Sequence, residues 1–444
     1  MNQKTLVVIG GGAAGFFCAV NAARLNPALK VIIVEKTSKL LSKVKVSGGG
    51  RCNVTHACFE ISSLVKKYPR GTNFLKKAFH HFNTTHTIEW FQQRGVKLKT
   101  ESDGRMFSIT DSSQTIIDCL LKEANKYGVE IMMNRDVKKI EIRNLKSEVQ
   151  NPQNETKSEE EKKFKLVFSD IDFLDSDFVC VACGGYPKSS MFDWLTSLSH
   201  TIEPPVPSLF TFNMPANAIT SLMGVSVENT SVKVVGTKLS DSGPLLITHW
   251  GLSGPAILKL SAWGARELAD KNYHFKILVN WVPQYNEQSL RDIWQQKRNE
   301  ISATKIINRN PFGLPNRLWV YLLQQSDIKE EIRWADLPGK EQNKLIKNLT
   351  AQEFDVKGKT TFKEEFVTCG GIKLSEVDVN TMQSKIVPNL YFAGEILDVD
   401  GVTGGFNFQH AWTSGWIAAN AIAGHFQKDP SYHMYFSGFS RPSV

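Results

Sequence analysis

The chain has 444 residues, 41% hydrophobic and 22% charged, a composition that suits two or three packed domains and excludes a disordered or fibrous chain. Basic residues exceed acidic ones, 53 to 44, giving a net charge of +9 and a pI near 9.0, a bias that suits anionic cofactors or substrates. No apolar run approaches the roughly 18–20 residues that span a bilayer, no basic-then-apolar leader precedes Leu6, and seven irregularly spaced cysteines fit a reducing compartment, so the expectation is a cytoplasmic protein with no membrane partner.

The apolar run Leu6–Ile9 predicts a strand. It leads into Gly10-Gly11-Gly12-Ala13-Ala14-Gly15, a helical stretch to about Leu25, and a second apolar run, Val31–Val34, ending on Glu35 and Lys36. This is the pattern of a βαβ unit for a dinucleotide pyrophosphate. Gly10 permits a tight turn, Gly12 lets the backbone approach the phosphates, and Gly15 allows close packing of helix on strand. The backbone at Ala13 and Ala14 opens the helix, whose N-terminus offers free N–H groups and partial positive charge. Glu35 is placed to accept hydrogen bonds from ribose hydroxyls and disfavours a 2′-phosphate there. The motif does not by itself separate NAD from FAD.

Ser47-Gly48-Gly49-Gly50-Arg51-Cys52-Asn53 reads as a loop that approaches a ligand closely. Helices are expected over 73–93 and 112–127, a strand at 129–133, and a hairpin from 137–143 and 163–168. The polar stretch 144–162 reads as a mobile loop. The basic run from Lys66 to Arg105 carries no nucleic-acid motif and reads as a solvated helical face. Phe178–Ala182 reads as a buried strand closing on Cys183-Gly184-Gly185. Cys180 and Cys183 straddle the end of that strand without a second cysteine pair, so they read as core thiols and no metal is expected.

Pro204, Pro205 and Pro207 mark a boundary. Short β-like segments follow at 209–212, 225–227, 231–235, 245–248 and 275–279, and then helical periodicity from 286 to 354. Glycine clusters return at Cys369-Gly370-Gly371, Gly394-Glu395 and Gly404-Gly405-Phe406-Asn407, with a strand at 390–393 and a helix at 409–423. The reading is therefore one discontinuous domain, 1–204 with 366–444. It is interrupted by a β-rich domain, 205–283 with 355–365, and a helical subdomain, 284–354.

Six stretches together resemble the BaiN/RdsA-type NAD(P)/FAD-dependent oxidoreductases, which include aminoacetone-oxidase-like flavoproteins. They are VVIGGGAAGFFCA at 7–19, KVSGGGRCNVTH at 45–56, VACGGYPKSS at 181–190, THWGLSGPAIL at 248–258, VTCGGI at 367–372 and LYFAGEILDVDGVTGGFNFQHAWTSGWIA at 390–418. The resemblance implies an α/β fold: a Rossmann-like FAD-binding domain with an inserted β-barrel-like domain and a small helical domain. It also implies FAD as cofactor and NAD(P)H as a transient electron donor. Hydride would pass through flavin N5 to a small electron-poor acceptor such as an enone, or electrons would pass to oxygen.

On that resemblance Ser47, Gly48, Gly49, Cys52 and Asn53 lie along the flavin. Arg51 lies near the pyrophosphate or an acidic substrate, the backbone of Val137 meets adenine, and Gly184 passes the adenosine half. Gly394 and Glu395, or Asp398, would meet the ribityl chain. Gly404, Gly405, Phe406 and Asn407 would aim a helix N-terminus at the flavin N1/O2 edge, where it contributes about 0.3–2 kcal/mol to a reduced, anionic ring. His249 and Asn53 are the candidate catalytic residues. A small-molecule substrate is expected, rather than nucleic acid. Two rivals remain: a flavin-dependent tRNA-modifying protein using the basic helices, and a non-catalytic flavin redox sensor.

Overall fold

In a computed structural model, the described residues are 3–144, 162–169, 171–360 and 367–424. Most of the expected polar loop, residues 145–161, lies outside them, as do 361–366 at the expected domain boundary. The chain divides into two compact units, Met1–Pro205 with Thr368–Val444, and Val206–Val367.

The first unit is built on a parallel sheet. Its strands are β1 (Thr5–Ile9), β2 (Lys30–Glu35), β3 (Glu130–Met133), β4 (Phe178–Val181) and β5 (Leu390–Phe392), in the order β5-β4-β1-β2-β3. β1 and β2 are near-continuous apolar runs buried on both faces, as strands in a covered parallel sheet must be. Helix α1 (Ala13–Leu25) joins β1 to β2, and α2 (Phe406–Ile422) follows β5. Because β1 lies between β2 and β4, the strand order reverses at its carboxyl end, where open α/β sheets bind ligands.

The expected hairpin is present and gains a third strand: 139–144, 162–169 and 172–176 form an antiparallel sheet. The expected helix over 73–93 is two helices, Thr72–His81 and Thr84–Gln92. Asn83 breaks them apart: its side chain accepts from Thr85 N–H, and its own N–H donates to His86 Nδ1. The helix expected to begin at Gln409 begins at Phe406, after Gly405 at φ +92°.

α1 and α2 cross in close contact. A Cβ on Gly415 would lie 2.7 Å from Ala14 O and 3.2 Å from Cys18 N, so only glycine permits the approach. Behind the crossing, Phe17, Phe82, Trp90 and Trp412 stack at centroid distances of 4.6–5.5 Å. A buried polar network locks the same region. The Thr55 and Thr87 hydroxyls donate to Gln409 Oε1, and Gln409 Nε2 donates to Thr413 Oγ1.

The second unit holds a seven-stranded sheet, in spatial order 352–357, 274–280, 226–234, 240–248, 251–253, 211–213 and 359–360. No ladder joins its two edges among the described residues, so the expected barrel-like domain is not a closed barrel. The segments expected at 225–227 and 231–235 are one strand with a register shift between Val227 and Thr230. Helices Glu287–Glu300, Asn316–Gln325 and Gly339–Ala351 share one apolar cluster with this sheet, running from Phe210 through Trp281, Trp294, Trp319 and Trp334 to Val356. The helical stretch and the sheet thus share one core within the second unit.

Candidate functional site

The glycine loop after β1 has three distinct environments. Gly10 has φ +113°, and a Cβ there would lie 2.5 Å from Ala182 O at the end of β4. A Cβ on Gly15 would lie 2.0 Å from Gly10 O, so α1 can start against the turn only with glycine at this position. A Cβ on Gly12 would meet nothing within 4 Å, which leaves an open face. The first helical bond of α1 runs from Phe16 N–H to Gly12 O. The N–H groups of Ala13, Ala14 and Gly15 therefore precede the ladder, and no side chain caps the helix.

At the end of β2, Glu35 Oε2 accepts from Gly11 N–H at 2.9 Å, and Oε1 accepts from the Thr37 N–H and hydroxyl at 2.9 Å. The carboxylate is thereby fixed beside the glycine loop, with acceptor capacity left. Lys36 lies over the Tyr186 ring, 5.6 Å from its centroid. Val137 is buried in the segment that follows β3.

α2 has the same kind of exposed end. Gly405 is its N-cap, no side chain caps it, and its first bond is Gln409 N–H to Gly405 O. The N–H groups of Phe406, Asn407 and Phe408 precede that bond. Asn407 clasps the incoming loop: Oδ1 accepts from Gly401 N–H at 2.7 Å, and Nδ2 donates to Gly401 O at 2.9 Å. A Cβ on Gly404 would lie 3.1 Å from the Phe406 ring, and one on Gly405 would lie 2.6 Å from Thr55 O. Asp400 is fully buried and forms a two-point ion pair with Arg70, which anchors the loop before α2.

Two side chains of α2 grip the turn after β5. Gly394, at φ +75°, donates its N–H to Ser414 Oγ at 2.8 Å, and its carbonyl lies 3.1 Å from His410 Nε2. A carbonyl only accepts, so Nε2 carries the proton. His410 is buried, and desolvation lowers its pKa to about 4, so the ring is neutral at pH 7. Glu395 Oε1 accepts from Thr368 N–H at 2.8 Å, and its other oxygen pairs with Lys43. Gly184, at φ +78°, passes Glu395, and a Cβ on it would lie 3.9 Å from Oε2. Asp398 donates its backbone N–H to Ile372 O.

The triple-glycine segment starts as a helical turn and unwinds at Ser47 (ψ 148°); Gly48, Gly49 and Gly50 then take φ of +59°, +69° and +85°. Gly49 and Gly50 face open space, whereas Gly48 rests on Phe107. Arg51 has partners within the protein. Its guanidinium stacks on Phe107 at 4.0 Å and pairs with Glu101 and, at 3.6 Å, with Asp111. Its charge is therefore matched within the protein, and it braces the loop against the 98–108 hairpin. Cys52 is buried with φ +58°, and desolvation pushes its thiol up to about 12, which leaves no thiolate for chemistry at neutral pH. Oriented to satisfy both its polar ends, the Asn53 amide donates to Thr55 O and accepts from Gly405 N–H, each at 3.0 Å. That places Asn53 as a brace for α2, with one amide N–H and one oxygen lone pair still to offer.

The first unit thus gathers the 10–15 loop, Glu35, the 47–53 loop, Gly184 and the 394–407 segment around the carboxyl ends of one sheet. His249 belongs to the second unit, in the two-residue turn between strands 240–248 and 251–253, exposed and with its ring 4.0 Å from that of Trp250. A residue the sequence reading passed over, His56, belongs to the group in the first unit: its ring stacks on Phe406 at 4.7 Å. The signals for it in the sequence were its place at the end of the 45–56 resemblance stretch and its position three residues after Asn53.

Residues 4–421 match the HI0933-like protein Rossmann domain. The chain belongs to the HI0933-like family. It is 24% identical over 424 residues to a 3-dehydro-bile acid delta(4,6)-reductase of Clostridium scindens, covering 94% of this chain and 98% of that protein. It is 28% identical over 432 residues to a ribosomal RNA dihydrouridine synthase of Escherichia coli, covering 95% and 98%. Among solved structures it is similar to a 3-ketosteroid delta1-dehydrogenase of Sterolibacterium denitrificans, at 11% identity and a TM-score of 0.47, covering 95% and 100%.

Proposed function

We propose that this member of the HI0933-like family is a FAD-dependent oxidoreductase that reduces a carbon–carbon double bond conjugated to a carbonyl, with NAD(P)H as a transient donor. One observation carries the reading: α1 and α2 both begin at uncapped N-termini at the carboxyl side of one sheet, and the two helices are held in register where the first turn of α1 meets the middle of α2 at Gly415. One helix N-terminus takes the anionic pyrophosphate. A second suits a ring at the far end of the same cofactor that becomes anionic on reduction. The residues fit that group. Gly12, Gly49 and Gly50 leave open space where a Cβ would stand, and Glu35 is held where a ribose hydroxyl would donate. The arrangement calls for the nucleotide end at Ala13–Gly15 and the isoalloxazine end at Phe406–Phe408.

When bound, FAD supplies the acceptance and donation of hydride at N5, chemistry no side chain here supplies. The chain orients the group through Gly394 and the 47–53 loop. Both relatives' names denote addition of hydrogen to a double bond conjugated to a carbonyl: the enone of a 3-oxo steroid, and the 5,6 bond of uracil. That shared chemistry supports an enone-like acceptor. A second reading, uracil within RNA, is favoured by the second of those names and by the exposed Lys66, Lys67, Lys76 and Lys77.

The test is anaerobic mixing of FAD-loaded protein with NADH and NADPH, followed by a steroid enone or unmodified ribosomal RNA. Bleaching of the yellow band, then its return with the enone, is expected. Protein that stays colourless in excess FAD overturns the reading. Absence of bleaching with both nucleotides removes the nicotinamide donor. Return of colour only with RNA, with dihydrouridine detected by mass spectrometry, selects the second reading.

A further inference from the structure

The FAD reading leaves one histidine of the site without a role. His56 ends the short strand Thr55–His56, paired with Arg105–Met106. Its imidazole lies nearly parallel to the Phe406 ring (20°), at the first residue of α2. The other neighbours are glycines whose missing side chains make room for it. A Cβ on Gly104 would lie 2.3 Å from Cε1, and one on Gly404 would lie 3.4 Å from Cδ2. The ring donates one hydrogen bond to the backbone of Asp103, which favours its protonated form. Nδ1 is buried and has no partner. Leaving a buried acceptor unpaired costs about 1–3 kcal/mol, and such groups in native proteins call for a ligand or a functional reason.

We propose that His56 is the proton-holding residue of the cofactor site: Nδ1 takes a proton from water when negative charge develops on the group held at the N-terminus of α2, and returns it when that charge is lost. The proposal rests on the FAD reading above. Charged groups act on the ring from each neighbouring element. Lys67, from the turn at 65–67, and Arg105, from the 105–108 strand, disfavour the protonated form, while Asp103 favours it. Burial outweighs Asp103, so the ring is held below the usual histidine range and is neutral at pH 7 in the unliganded protein. The α2 terminus adds partial positive charge with the same sign of effect. A nearby negative charge reverses the balance, because opposite charges within a few ångström favour the charged form. The proton comes from water and goes back to water or to the reduced substrate, so charge stays nearly neutral throughout.

The experiment uses the full chain loaded with FAD. The His56 ring is followed by NMR across a pH titration, in the oxidised protein and after anaerobic reduction with dithionite, with the resonance assigned from His56→Gln. The expected result is an upward shift of its titration midpoint on reduction, equivalent to about a tenfold or greater gain in proton affinity. In unbuffered solution with an indicator dye, the wild type should also take up more protons per electron pair than His56→Gln. An unchanged midpoint, or equal proton uptake by both proteins, overturns the proposal while leaving FAD binding intact. If His56→Gln fails to fold, the wild-type titration decides alone, with the ring assigned through contacts to Phe406. Failure to retain FAD overturns the underlying reading instead and is seen before any titration.

Discussion

His410 makes the stability of the first unit depend on acid. In the folded protein its ring is buried against Gly394 with a pKa near 4, whereas an unfolded chain titrates near the ordinary value of 6.5. Between those two values the unfolded state binds more protons, so stability is full above pH 6.5 and falls as the pH drops toward 4. At about 1.36 kcal/mol per unit, the whole window corresponds to roughly 3 kcal/mol, of which about 2 kcal/mol is lost by pH 5. Other histidines contribute in the same direction, so a comparison isolates this one. His410→Gln keeps a donor for the Gly394 carbonyl and does not titrate. Denaturant-dependent hydrogen exchange of peptides covering 406–422, at pH 7.5 and 5, should show the wild type losing about 2 kcal/mol more than the variant. Equal losses in both would refute the argument.

Gly12→Ala and Gly15→Ala should separate ligand space from packing. Gly12 has φ −94° and open surroundings, so its alanine variant should keep its melting temperature yet retain FAD at least about tenfold more weakly. Gly15→Ala forces a 2.0 Å contact and should destabilise the unliganded protein by about 1–3 kcal/mol in urea unfolding. Arg70→Met leaves the carboxylate of Asp400 buried without its main partner and should cost about 3–5 kcal/mol by the same assay; adding Asp400→Asn should recover much of it. Cys52 should resist iodoacetamide in the native protein at pH 8 and react only on unfolding, as mass spectrometry of its peptide will show.

What the sequence made legible was local. The βαβ unit at 5–35, the strand at 390–392 and the glycines before α2 announce themselves within a few residues, because each glycine answers a nearby steric demand. What stayed hidden depends on distant partners. The neighbours of His56 lie at 103–105 and 404–406, and the partner of Arg51 at Glu101. The break at Asn83 escaped notice because a histidine, not the usual Glu or Gln, closes its capping box. Prolines 204, 205 and 207 read as a boundary, and the two units do divide between Pro205 and Val206; what the prolines hid is that they lie in a strand, Ile202–Ser208, of a two-stranded sheet. In the second unit, the apolar cluster shared by helices and sheet was not legible either, because a common core leaves no mark on period.

The discontinuity of the first unit bears on how it is made. β5 and α2 leave the ribosome after every other described element, yet β5 covers the flank of β4, and α2 covers α1. Until residue 392 has emerged, the nascent chain therefore carries an apolar strand, β4, with an unpaired edge, the kind that invites pairing with other chains, and until 422 has emerged α1 lacks its cover. The 206–367 segment has its own core and can mature meanwhile. Early termination anywhere before 406 would thus remove the α2 end of the nucleotide cradle and leave α1, at the other end, without its packing partner.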